Sequence, residues 1–145
     1  MRPKRDDYRW FTTVATRWAD NDVYGHVNNV VYYAFFDTAV NRYLIEEGVL
    51  DIHEGDSIGL VVETACRYHE PVAFPESVDV GVRVTRIGNS SVQYEVGVFR
   101  GSAESAAADG RFVHVYVDRV TRRPKPLGAS MRECLERVLV LDPAR

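Results

Sequence analysis

Two carboxylates, a histidine and a pair of adjacent asparagines (Asp20, Asp22, His26, Asn28 and Asn29) stand out in the stretch between Arg17 and the apolar run that begins at Val30. A carboxylate can attack an electrophilic carbon or take a proton from water, and N–H groups left free at a helix start can stabilise the oxyanion that follows. Asp22 stands four residues before His26 and seven before Asn29. A loop of that length ending in a helix can bring the carboxylate beside the helix N-terminus, where the first-turn N–H groups and the helix dipole favour negative charge. The same residues have plainer uses. Asp22 reads equally as a turn or capping residue, and His26 can bridge loop and strand. Asn28 and Asn29 are good N-caps, and a cap leaves first-turn N–H groups exposed.

The helix that would position this loop is predicted from Asn28 or Asn29 onward, about 18 residues long. No Gly or Pro interrupts Val30 to Ile45, and Gly48 supplies the C′ residue. Its first two turns are apolar or aromatic around most of the circumference (Val30, Val31, Tyr32, Tyr33, Ala34, Phe35, Phe36), which predicts burial on several sides. Four segments between residues 57 and 120 alternate with period two and predict strands. In one, Val78, Val80, Val82 and Val84 oppose Ser77, Asp79, Arg83 and Thr85. In the next, Val92, Tyr94, Val96 and Val98 oppose Gln93 and Glu95, and in the last Val113, Val115 and Val117 oppose His114, Tyr116 and Asp118. A first strand is predicted over Tyr8 to Trp18 and another over Ser57 to Tyr68, which carries Glu63 in an apolar stretch. Gly88-Asn89-Ser90 predicts a tight hairpin, Asp109-Gly110 either a bulge or a turn, and Ala129 to Val140 a short closing helix. Met1 to Asp7, charged and containing Pro3, predicts a frayed start. The class is α+β: one long helix packed on a curved antiparallel sheet.

At 145 residues, 46% of them hydrophobic, the chain is one domain's worth with enough apolar content for a core. No apolar run approaches 18 residues and no leader pattern opens the chain, so neither a membrane span nor secretion is expected and the cytoplasm is the default. A net charge of −3 argues against nucleic acid as the main partner. Cys66 and Cys134, the two cysteines, lack metal-ligand or CxxC spacing.

The string Trp18-Ala19-Asp20-Asn21-Asp22-Val23-Tyr24-Gly25-His26-Val27-Asn28-Asn29-Val30-Val31-Tyr32, with this element order, resembles the hotdog-fold thioesterases, specifically the 4-hydroxybenzoyl-CoA thioesterase-like group and its acyl-ACP relatives. Later cues are Tyr68-His69-Glu70-Pro71, the Asn89-Ser90-Ser91 hairpin, and His114-Val115-Tyr116-Val117-Asp118 followed by Arg122-Arg123-Pro124. The resemblance covers nearly the whole chain and implies a five-stranded sheet wrapped around the central helix. It implies that Asp22 is the catalytic carboxylate, nucleophile or general base, with Asp20 the turn former, and that a backbone N–H at the helix start, that of Asn29, polarises the thioester carbonyl. In the acyl-ACP relatives the aspartate is followed by Asn two on and His four on. Asp22 and His26 fit that pattern, whereas Tyr24 replaces the Asn, which leaves His26 to orient the carboxylate or the thioester.

The implied substrate is an acyl-CoA, or an acyl group on acyl carrier protein, with no metal and no redox cofactor. Tyr24 and Gly25 border the reacting group. Glu63 either pairs with Arg67 or reaches an active site across a dimer interface. Arg86, Ser90 and Ser91 occupy the place where the family holds the nucleotide, with Arg122, Arg123 or Lys125 able to help. Hotdog subunits pair into one continuous sheet, so a homodimer or homotetramer is implied, without nucleic acid or membrane. Two other readings stay open. A hotdog dehydratase or hydratase lacks support, since no His precedes Asp37 at the needed spacing; a non-catalytic acyl-thioester binding module would bind without turnover.

Overall fold

The structure, a computed structural model, describes residues 2–141. The alternating segments form strands as predicted. With β1 (Trp10–Ala15), β2 (Ser57–Tyr68), β3 (Ser77–Ile87), β4 (Ser91–Arg100) and β5 (Ala108–Asp118) they make one antiparallel sheet in the order β1-β3-β4-β5-β2. The long helix α1 (Val31–Glu46) packs on one face, and a short α2 (Ala129–Glu136) follows the sheet. Among the described residues no helix is long and apolar enough to cross a membrane.

The period-two valines explain which face α1 takes. Val78, Val80, Val82 and Val84 on β3, with Val92, Tyr94, Val96 and Val98 on β4, are fully buried. Each such side chain contributes about 1.5–3 kcal/mol on leaving water. On β5 the alternation holds with His114 and Tyr116 turned inward. Helix α1 meets this floor with a stripe spaced three and four residues apart: Tyr32, Phe35, Phe36, Ala39, Val40, Tyr43 and Leu44. Burial on several sides is therefore not achieved within this chain. Val30 is 62% exposed and Ala34 is exposed, because the sheet covers one side of the helix. Cys134, on the inner face of α2, is buried, and its carbonyl accepts from the Tyr43 hydroxyl at 2.7 Å.

Gly110 is neither a bulge nor a turn. It lies in regular ladder between Cys66 and Val96. A Cβ there would stand 2.6 Å from the Phe36 ring and 2.1 Å from the Ala65 carbonyl oxygen. The glycine lets α1 press directly onto the sheet.

Four other boundaries differ from expectation. Tyr8 leaves the first strand for the outer face of the sheet, and at the other end Thr16 donates to Glu76 O; residues Trp18–Asp20 then turn as a 3₁₀ helix. Helix α1 starts without a side-chain cap on its N-cap residue, Val30. Asn28 acts one step earlier, its Oδ1 accepting from Val30 N–H and its backbone carbonyl from Val31 N–H. Helix α2 stops at Glu136 because Val138 and Val140 exchange backbone hydrogen bonds with Val84 and extend beside β3. Met1 lies outside the described residues, and residues 2–7 are not frayed: Pro3 O accepts from Ala106 N–H, Arg5 N–H reaches Glu104 O, and the Arg5 guanidinium donates to Gly101 O and pairs with Asp79. The charges that suggested a solvated tail find carbonyls and carboxylates on the sheet instead.

Candidate active site

The loop before α1 is folded on itself. Asp22 N–H donates to His26 O at 2.9 Å, Gly25 N–H to Asp22 O at 3.1 Å, and Tyr24 N–H to the Asp22 Oδ1 at 2.9 Å. Gly25 takes φ +83° to close this turn, a conformation that costs most other residues about 1 kcal/mol or more. Asp20 anchors the loop from below. Burial raises its carboxyl, but hydrogen bonds from the Arg17 side chain and backbone N–H outweigh that and hold it below the usual carboxylate range. Its backbone carbonyl accepts from Asn28 N–H, and Val27 N–H donates to Val72 O. Asp20 is thus the structural acid of the pair, as its turn-forming reading expects.

The loop delivers two of the predicted residues to a cavity of about 310 Å³, whose lining includes His26, Asn29, Tyr32, Tyr68, His69 and Pro71. Asn29 N–H has no hydrogen-bond partner among the described residues, while its carbonyl is held by the Tyr68 hydroxyl at 2.9 Å. The peptide that carries this N–H is held through its carbonyl, Asn28 O, by Val31 N–H, and a free N–H at a helix entry is a donor ready for a developing oxyanion. The His26 ring is exposed and likewise without a partner among the described residues.

The other predicted residues are outside that lining. Asp22 is half-buried on the outer side of the turn, and Tyr24, 82% exposed, projects from it. Glu63 does not pair with Arg67. A bulge between Val61 and Glu63 turns Val61 toward the His114 side and Glu63 to the outer face, where it accepts from Arg111 Nε at 2.8 Å. Arg67 pairs with Asp109 instead. Arg86 is exposed beside a second bulge, between Val84 and Arg86, and its side chain makes no hydrogen bond or ion pair among the described residues. Ser90 and Ser91 form the hairpin, where Ser90 O accepts from Tyr116 N–H. The basic stretch 122–125 lies along β5, and Leu127 N–H reaches Asn89 O. Hairpin and basic stretch are therefore neighbours.

Reading single motifs did not single out Tyr68 and His69 as wall residues. They stand 39 and 40 residues beyond Asn29, and only the family cue Tyr68-His69-Glu70-Pro71 marks them. A larger hollow, about 740 Å³, opens on the outer face, but its arginines are already matched: Arg83 to Glu95, Arg67 to Asp109, Arg111 to Glu63 and Arg2 to Glu70. No three His, Cys, Asp or Glu side chains converge to hold a metal ion among the described residues.

Comparison with known proteins shows the family and the fold. The profile of the Thioesterase-like superfamily matches residues 16–135. The PA5185 protein of Pseudomonas aeruginosa is 55% identical, with a TM-score of 0.94 over 96% of this chain and 97% of that one. A Thermus thermophilus thioesterase, solved with coenzyme A and zinc, is 31% identical, with a TM-score of 0.76 over 92% of this chain and 96% of that one. The DHNA-CoA thioesterase of Staphylococcus aureus, 22% identical, shares the fold at a TM-score of 0.77 over 88% and 86% of the two chains. Protein YsmA of Bacillus subtilis, a curated relative, is 23% identical over 88 residues, 61% of this chain. The match spans 59% of that relative's length.

Proposed function

Because this chain belongs to the thioesterase-like superfamily and has its hotdog fold, we propose that it hydrolyses an acyl-CoA thioester to the free acid and CoA, in the cavity at the start of α1. The observation that carries this reading is the unpartnered Asn29 N–H on the wall of an aromatic-lined cavity, with the Asn29 carbonyl held by Tyr68. Asn29 N–H receives the oxyanion. Asp22 attacks the acyl carbon or takes the proton from the attacking water. One of its carboxylate oxygens is engaged by Tyr24 N–H and the other has no partner among the described residues. His26 orients the thioester, Tyr24 and Gly25 border it, and Arg86 with Ser90 and Ser91 holds the nucleotide end. The coenzyme A bound to the Thermus relative supports CoA over a carrier protein.

The active form is a homodimer or a larger homo-oligomer working in the cytoplasm. Support comes from the side of α1 that this chain's own sheet leaves uncovered and from β2, a sheet edge that exposes Leu60, Val61 and Val62. A second subunit would close Asp22 and Glu63 toward the cavity.

Thiol release from short, medium, long and aromatic acyl-CoAs, wild type beside Asp22→Asn, tests the reading. Loss of the ionisable carboxylate costs about 10²-fold or more in kcat if Asp22 attacks or activates water. Equal rates in the two proteins would remove Asp22 from the mechanism. An absence of turnover on every thioester would leave a binding module.

A further inference from the structure

His69 lines the same cavity as His26 and Asn29, yet the reaction described above gives it no task. Its Nε2 lies 2.6 Å from Oδ1 of Asp109 on β5, and the other Asp109 oxygen accepts from Arg67 Nη2 at 3.0 Å. Asp109 is only 6% exposed. A buried carboxylate accepts and does not donate, so the proton between the two groups sits on Nε2. Nδ1 is left over. It has no hydrogen-bond partner among the described residues, and because none of their buried side-chain nitrogens or oxygens lacks a partner, Nδ1 must be open to solvent. The other charged and titratable groups near it are Glu70, already held by Arg2 and Arg100, His26 in the loop, and the hydroxyls of Tyr32 and Tyr68. Arg67 alone could neutralise Asp109, so charge balance does not account for an imidazole set between that carboxylate and the cavity.

Resting on the thioesterase reading, we propose that His69 is the acid that protonates the departing thiolate, and that Asp109 is the positioning residue that keeps Nδ1 turned to the cavity. As the water oxygen bonds to the acyl carbon, Asp22 takes its proton and the C=O π pair moves onto the oxygen facing Asn29 N–H. When that pair returns, the C–S bond breaks with its electrons on sulfur, and the imidazolium passes its Nδ1 proton to them. His69 is then the neutral tautomer bonded through Nε2–H to Asp109. It regains a proton from solvent and Asp22 releases one, so the sum is thioester plus water to carboxylic acid plus thiol.

The test compares one acyl group on CoA with the same group on an aryl thiol, whose thiolate leaves without a proton. His69→Gln should lower kcat/KM by about 10-fold or more on CoA but by less than about 3-fold on the aryl thioester, and should abolish the alkaline limb of the CoA pH profile. Equal losses on both substrates, or no loss on either, would overturn the assignment. Nitrogen-15 NMR of the imidazole supplies a readout independent of turnover. Neutral His69 should carry its proton on Nε2 in the wild type and become a tautomer mixture in Asp109→Asn; a wild-type proton on Nδ1 would also overturn it. If wild type hydrolyses no thioester, the functional reading fails and takes this role with it. If wild type is active and His69→Gln matches it, only the role of His69 fails.

Discussion

The Tyr68 hydroxyl donates to the Asn29 carbonyl oxygen across 2.9 Å, joining the end of β2 to the entry of α1. This bond fixes the Asn29–Val30 peptide and so holds Asn29 in place, while Val31 N–H on the Asn28 carbonyl holds the adjoining peptide that carries the free N–H. Tyr68→Phe keeps the ring, which packs edge-on to Tyr32 at 5.0 Å between centroids, and removes only the donor. The expected result is a fall of about 3- to 10-fold in kcat with little change in KM, and a stability loss of about 1 kcal/mol. Steady-state kinetics beside urea unfolding checks both.

His114 is expected to make the protein acid-sensitive well above the carboxylate range. It is 3% exposed between the rings of Tyr94 and Phe112, and burial lowers its pKa from 6.5 to about 4. Between those two pH values the unfolded chain binds the proton and the folded one does not. The contribution to stability is therefore complete above pH 6.5 and is lost as the pH falls toward 4, by about 3 kcal/mol in all. Urea midpoints measured from pH 7.5 to 4.5 should fall accordingly. His114→Phe should flatten that slope, and an unchanged slope would acquit the imidazole.

Gly110→Ala should be among the most damaging single-methyl additions in the chain. The new Cβ meets the Ala65 carbonyl, which is backbone and cannot swing aside, as well as the Phe36 ring. Pushing β2 or α1 away should cost more than about 3 kcal/mol. For a chain of this size that lowers Tm by roughly 6–12 °C, read by differential scanning calorimetry.

Much of this fold was legible because its causes are local. The valine alternation of β3 and β4 needs only neighbouring residues to declare itself, and so does the helix between Asn29 and Gly48. The structural part played by Asp20 was visible only through the family resemblance, which matches its aspartate to Asp22, and the turn at Gly25 was not foreseen. What stayed hidden depends on partners far along the chain. Glu63 was read with Arg67 because the two share a face of β2, and nothing in their spacing reveals the partners on β5 that take them, Arg111 for Glu63 and Asp109 for Arg67. Asp109-Gly110 has the composition of a turn, and only Phe36, pressing from α1, explains why a strand needs a glycine there. The His69–Asp109 contact joins residues 40 positions apart, for which spacing carries no signal. The docked N-terminus was missed for the same reason, since its carbonyl and carboxylate partners lie at residues 70 to 106.

The sheet order also sets a schedule for synthesis. Strand β2 ends at Tyr68 and hydrogen-bonds to β5 alone, which begins only at Ala108. At roughly 5–20 residues per second, a nascent chain carries β2 for several seconds with neither edge satisfied and with Leu60, Val61 and Val62 uncovered. Helix α1 is made earlier still, and its floor of valines on β3 and β4 is not yet translated. The first half of the polypeptide therefore leaves the ribosome with apolar surface that only the second half can cover, and slower growth at low temperature should raise the soluble yield more than any change to the finished surface.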